Sequence, residues 1–228
     1  MYIRSIGCTP LGSPINIITD NESLAKRKLL IMSGLHGDEV EGVMLLTMIL
    51  NVLVTQKSTL LNQIIFAPIA NPDGFALNQR WNFNNVDLNR NWPTKDWSPL
   101  ITNPRYPPGP EAESESETRY LRTFIENTDV EYVIDLHSYK DSVLLPLFHS
   151  THALLNDQIF RLSTSLGIPV EFEQDNLGYS IAGGFHTWCF ENKIQNLTVE
   201  VEKNLGQFSI KERYLQQMIN FISELLGS

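Results

Sequence analysis

His36 and Glu39 stand three residues apart, directly after the apolar run Leu29-Leu30-Ile31-Met32. Where a strand gives way to a helix, that spacing can aim an imidazole nitrogen and a carboxylate oxygen at one point. Catalytic zinc takes such ligand atoms and keeps a further position for water. Two more residues of these types sit near the ends of apolar runs: His137 in Ile134-Asp135-Leu136-His137-Ser138-Tyr139, and Glu200 in Leu197-Thr198-Val199-Glu200-Val201. Ligands of open α/β sheets bind beyond the carboxyl ends of the strands. Three strand ends therefore offer two histidines and two glutamates. A mononuclear zinc hydrolase needs three ligands and a separate carboxylate that deprotonates water. Glu202 shares a strand face with Glu200 by the period of two, so spacing alone does not choose between them.

Arginines add a second kind of chemistry. Arg80 and Arg90 bracket Trp81-Asn82-Phe83-Asn84-Asn85-Val86-Asp87-Leu88-Asn89. An arginine beside a metal-polarised carbonyl can stabilise a developing oxyanion. A second arginine with a neighbouring amide, as in Asn89-Arg90, suits bidentate capture of a carboxylate. Tyr179 lies in Gly178-Tyr179-Ser180-Ile181-Ala182-Gly183-Gly184, a segment whose glycines would let it close as a flap.

These residues need elements to hold them. Strands are expected over 14–19, 28–32, 63–69, 131–136, 143–148, 170–172 and 197–201, with the first two able to form a hairpin. Helices are expected over 40–53, 114–127, 154–166, 185–192 and 210–226. Residues 40–53 are apolar nearly all round and should form a buried helix. Ser114-Glu115-Ser116-Glu117 puts acids where a helix N-terminus favours them. Turn residues dominate 71–110, a loop long enough to expect a functional role. The alternation predicts an α/β fold: a single domain over 1–228 with a mixed, mostly parallel sheet and helices on both faces.

Composition narrows the partners. A net charge of −9 lacks the electrostatic footprint of a nucleic-acid binder. No apolar run approaches the ~18 residues of a membrane span. The N-terminus shows no secretory signal, and Cys8 and Cys189 are too few and too far apart for a disulfide framework. A cytoplasmic location is the expectation.

Five motifs in order, Gly34-Leu35-His36-Gly37-Asp38-Glu39, Asn71-Pro72-Asp73-Gly74, Val86-Asp87-Leu88-Asn89-Arg90-Asn91-Trp92, Asp135-Leu136-His137-Ser138-Tyr139 and Thr198-Val199-Glu200, resemble the zinc metallocarboxypeptidases of the carboxypeptidase A type. The resemblance is greatest to their compact bacterial branch, the murein tripeptide amidases, and runs from about Ile6 to the final helix. It implies one Zn²⁺ held by His36, Glu39 and His137, with Glu200 rather than Glu202 as general base. It implies that Arg80 polarises the scissile carbonyl, that Asn89 and Arg90 grip the substrate's terminal carboxylate, and that Tyr179 closes over it. Asp87 matches a carboxylate that orients a zinc histidine, and His186 a residue on the floor of the side-chain pocket.

Departures from the branch bear on substrate. Murein tripeptide amidases carry Ser-Glu-Pro-Glu-Thr where this chain has Ser114-Glu115-Ser116-Glu117-Thr118, and tend to follow the base with Phe-Pro where Val201-Glu202 stands here. Ser138-Tyr139 looks more like the general carboxypeptidases. The expected activity is hydrolysis next to a free terminal carboxylate on a small peptide, with a murein peptide cleaved at γ-D-glutamyl–diaminopimelate preferred. The alternatives are a general metallocarboxypeptidase, a zinc deacylase of N-acyl amino acids and, last, a non-catalytic peptide-binding module.

Overall fold

Leu29 to Met32 are apolar without alternation, so a strand built from them must be covered on both faces. That is what the computed structural model shows. It describes residues 1–101, 103–147, 153–171 and 182–227. Seven strands form one sheet: β1 (Tyr2–Cys8), β2 (Pro14–Thr19), β3 (Leu29–Ser33), β4 (Ile64–Ala67), β5 (Tyr132–Tyr139), β6 (Val143–Leu147) and β7 (Gln195–Glu202), in the spatial order β1-β2-β4-β3-β5-β7-β6. The four central strands β4, β3, β5 and β7 run parallel, and β1, β2 and β6 pair antiparallel at the two edges. The expected mixed sheet is thus present, with its parallel part at the centre, but it is not mostly parallel: three of its six strand pairings are parallel and three antiparallel.

Seven α-helices and two 3₁₀ turns (Thr59–Gln63 and Leu88–Arg90) complete the described elements; the α-helices are α1 (Val40–Thr55), α2 (Pro72–Leu77), α3 (Ser116–Glu126), α4 (Ala153–Leu166), α5 (Phe185–Glu191), α6 (Gln207–Ile210) and α7 (Gln216–Leu225), the last two joined by a π-helical turn at Lys211–Leu215. Strand alternation sends side chains to opposite faces. Leu29, Ile31, Ile134, Leu136, Leu197 and Val199 pack with Leu45, Leu46 and Ile49 of α1 and Met218 and Phe221 of α7. Leu30, Met32, Ile65 and Val133 pack on the other face with Leu121 and Ile125 of α3, Trp188 of α5 and Trp92.

Four expectations change. Strand β2 does not form a hairpin with β3: it lies between β1 and β4. Strand β1 was not anticipated because Tyr2 to Ser5 are exposed at a sheet edge and lack an apolar run. The stretch 71–110 contains a short helix, α2, capped by the Asn71 side chain accepting from Gly74 N–H at 2.9 Å with Pro72 in its first turn. Strand β5 runs to Tyr139, which puts His137 inside the strand instead of after it. Val170 makes an isolated bridge to Leu144, while Phe148 and Phe172 lie outside the described residues.

Backbone closeness explains one motif glycine. A Cβ on Gly37 would sit 2.0 Å from the Gly74 carbonyl carbon. Only a glycine beside His36 lets α2 pack here and lead the chain to Arg80.

Candidate metal centre

The three expected ligands converge. His36 lies in the loop between β3 and α1, Glu39 precedes the first turn of α1, and His137 projects from β5. One ligand atom from each lies within 4.8 Å of the others, and all three residues are buried. The Nδ1 atoms of the two histidines face each other at 3.1 Å. Glu39 reaches both, with Oε1 2.9 Å from His36 Nδ1 and Oε2 2.7 Å from His137 Nδ1. Glu39 makes no helix-capping bond to α1 with its side chain. Its carboxylate is turned to the histidines.

The far nitrogens settle how the near ones are used. His36 Nε2 lies 3.0 Å from Asp87 Oδ1, and His137 Nε2 lies 2.8 Å from Asp135 Oδ2. A carboxylate there favours the tautomer with hydrogen on Nε2, which turns the Nδ1 lone pair inward. Two inward lone pairs and a carboxylate in one buried spot repel unless a cation lies between them. Two imidazole nitrogens and a carboxylate oxygen, each histidine backed by an outer carboxylate, form a donor set that fits a zinc-like ion.

Protonation follows the same electrostatics. Burial opposes charge on Glu39, yet the two histidines outweigh it and hold the carboxyl well below its ordinary range. Burial likewise opposes charge on His137, and Asp135 with Glu39 outweighs it, raising the imidazole well above its usual value. In the absence of a metal, a proton on His137 is what the acids would retain. Burial also works against Asp87, but Arg80 and His36 keep it ionised far below the carboxylate range.

Glu200 aligns with His137 across the parallel β5–β7 pairing. Aligned residues of neighbouring strands point the same way, so the carboxylate stands beside the cluster. Its Oε2 is buried with no hydrogen-bond partner. Burial, reinforced by Glu39 against the opposing pull of His137, pushes its pKa up to about 7. Glu202 lies one same-face position further on, where it forms an ion pair with Arg213. The two glutamates therefore occupy different surroundings.

Arg80 is held at the edge of the cluster by Asp87, with contacts of 2.9 Å from Nε and 2.8 Å from Nη2, and its Nη1 donates to Glu39 Oε1 at 3.2 Å. Asp87 therefore grips an arginine as well as orienting a histidine. Asn89 accepts from Phe185 N–H at 2.9 Å through its side-chain oxygen. That bond turns the amide NH₂ into the outward donor, the end a carboxylate requires. Arg90 is buried beside it and donates to Asn89 O at 2.6 Å. His186 occupies the first turn of α5, where burial and the nearby Arg90 and His137 drop its pKa to about 3 despite Asp96. It is neutral at ordinary pH. Tyr179 lies outside the described residues.

A polar layer beneath the long loop fixes these groups. Asn82 Nδ2 donates to Glu115 Oε2 at 2.6 Å and Glu117 Oε1 at 3.3 Å, and its oxygen accepts from Asn84 and Val86 N–H. Asn91 Nδ2 reaches Pro108 O, Glu111 O and Ser114 Oγ. Glu115 and Glu117 are buried here, so they act as loop anchors in addition to standing at the start of α3. Asp135 was missed as a site residue, although its position two before His137 places both on one strand face.

The zinc carboxypeptidase family, Peptidase M14, matches residues 1–220. The chain belongs to this family. Zinc carboxypeptidases are hydrolytic enzymes, and the His36–Glu39–His137 cluster is the group of described residues here that could hold a metal ion. Among its relatives, a murein peptide amidase A of Vibrio campbellii is 28% identical over 226 residues, spanning 94% of this chain and 85% of that protein. The murein peptide amidase A of Escherichia coli K12 is 28% identical over 232 residues, spanning 97% and 88%. The fold matches the crystal structure of a murein-tripeptide amidase from Escherichia coli O157 with a TM-score of 0.71 at 24% identity, covering 96% of this chain and 91% of that one. It also matches a carboxypeptidase A from Helicoverpa armigera with a TM-score of 0.79 at 20% identity, covering 98% and 68%.

Proposed function

We propose that this zinc carboxypeptidase releases the terminal amino acid of a murein peptide by cleaving γ-D-glutamyl–diaminopimelate. The observation that carries the hydrolytic part is the convergence of His36 Nδ1, His137 Nδ1 and Glu39 beside the unpartnered buried oxygen of Glu200. The two murein peptide amidases that align along nearly the whole chain support the substrate.

His36, Glu39 and His137 would hold the ion. When bound, zinc supplies Lewis acidity, lowering the pKa of a water and polarising a carbonyl. Arg90 and the Asn89 amide take the substrate's terminal carboxylate by charge-assisted hydrogen bonds. Arg80 turns N–H groups toward the scissile carbonyl oxygen and stabilises charge as it develops there. Glu200 Oε2 accepts a proton from the attacking water and returns it to the departing amine. Its lack of a hydrogen-bond partner leaves that oxygen available for both transfers. Neutral His186 borders the side-chain pocket, where a polar terminal side chain fits better than a large apolar one. We propose a single catalytic domain over 1–228. The free thiols Cys8 and Cys189 suit a reducing compartment such as the cytoplasm, and no described helix is long and apolar enough to cross a membrane.

Incubation of zinc-loaded protein with murein tripeptide and with ordinary dipeptides tests the reading. Release of diaminopimelate from the tripeptide, with little turnover of dipeptides, is expected. Turnover of dipeptides without diaminopimelate release would make it a general carboxypeptidase instead.

A further inference from the structure

We propose that Tyr106 is a positioning residue that holds Arg80 and Arg90 at a fixed separation, one set for the scissile carbonyl and the other for the terminal carboxylate. The inference rests on the roles proposed above for the two arginines. The Tyr106 ring centroid lies 5.1 Å from the Arg80 guanidinium carbon and 4.9 Å from that of Arg90. An aromatic face carries partial negative charge and attracts a cation within about 6 Å. One ring therefore draws on both guanidiniums, which would otherwise repel each other.

The ring is anchored to the segment that carries the arginines. Arg105 O accepts from Trp81 Nε1 at 2.9 Å. Pro107 O accepts from Asp87 N–H at 2.8 Å, and Pro108 O accepts from Asn91 Nδ2 at 2.8 Å. These bonds flank Tyr106 on both sides, and all three donors belong to residues 81–91. Two prolines then restrict the backbone immediately after the ring. Tyr106 is thus fixed relative to Arg80 and Arg90, and so is the spacing between them.

Long, rotor-rich arginine side chains lose freedom when they bind a ligand. Guanidiniums already stacked on a ring lose less, so the stack preorganises both binding points. Substrate geometry demands this, because the scissile carbonyl and the terminal carboxylate belong to the two residues joined by the scissile bond and lie only a few covalent bonds apart. A phenylalanine keeps the aromatic face. A leucine keeps bulk and apolarity but removes it.

Two measurements on wild type, Y106F and Y106L decide the matter: steady-state hydrolysis of a carboxylate-ended peptide, and NMR of the arginine Nε–Hε groups. Y106F is expected to keep kcat/KM within about threefold, whereas Y106L loses about tenfold or more, shared between a higher KM and a lower kcat. Y106L and R90K together should cost less than the sum of their separate losses, since part of the Y106L loss runs through the Arg90 guanidinium. The Arg80 and Arg90 resonances should each keep their positions between wild type and Y106F, and both should move in Y106L. Y106Q gives the same readings if Y106L does not fold. Resonances unmoved in Y106L, a Y106F loss as large as that of Y106L, or full additivity with R90K would overturn the inference. The NMR readout needs no turnover. A wild type that hydrolyses no carboxylate-ended peptide therefore refutes the proposed function, while the resonances still decide where Tyr106 holds the arginines.

Discussion

Each candidate histidine has its far nitrogen on a carboxylate, and that detail carries a quantitative consequence. An asparagine at 87 or 135 keeps the shape but removes the charge that fixes the tautomer. D135N and D87N should each weaken zinc binding by about 10–100-fold, measured by competition with a chromophoric chelator. Unchanged affinity in both variants would refute the orienting role. E200Q separates chemistry from binding: kcat should fall by about 10²–10⁴ while zinc affinity stays near that of wild type. Much of this was legible in residue types. His36, Glu39, His137 and Glu200 stand out because ligand-type side chains interrupt or end apolar runs. Asp135 was hidden because the strand was expected to stop at Leu136, which made an acid at 135 look like strand interior with nothing to pair. With β5 running on to Tyr139, Asp135 and His137 are same-face neighbours at 2.8 Å.

At the scale of elements, the cleft depends on how the chain between β4 and α3 is bolted down. Gly183 sits at φ +72°, and a Cβ on it would lie 2.3 Å from the Arg90 carbonyl oxygen. Its own backbone contacts the same segment: Gly183 O accepts from Trp92 N–H at 2.9 Å. G183A should therefore destabilise the fold by more than about 1 kcal/mol in urea denaturation and raise KM by displacing Arg90. Wild-type stability and KM would contradict this docking. Glu117 supplies a pH signature. Burial raises its pKa above the ordinary value, with Glu115 adding to the effect. The folded state therefore holds the proton more tightly than the unfolded chain. Its stabilising contribution is full below the unfolded pKa of about 4.3 and is lost as pH rises through the folded value. The stability of wild type relative to E117Q should fall between acid and neutral pH, and a difference independent of pH would contradict the buried carboxyl. Sequence periodicity found most helices and strands, since apolar patterns set them. It could not show that Glu115 and Glu117 turn inward, because an acid at a helix start looks the same whether it faces solvent or an asparagine.

For the molecule as a whole, the order of strands was the least legible property. Strands β5 and β7 lie side by side although α4 and α5 separate them in the chain, and only that adjacency puts Glu200 next to His137. The antiparallel edges were equally hidden: β1 has no apolar run, and β2 bypasses β3 to pair with β4. What could be read was the need for helices on both faces, from the unbroken apolar character of β3. The assembled sheet brings ligand candidates from the β3–α1 connection and from β5 to one place, with the base candidate on β7. The most direct test is to strip the protein with a chelator and follow murein-tripeptide hydrolysis as Zn²⁺ is returned. Activity should rise linearly and level off at one zinc per chain, with H36A inactive throughout. Full activity in the stripped protein, or in zinc-loaded H36A, would contradict a reaction that runs at this centre.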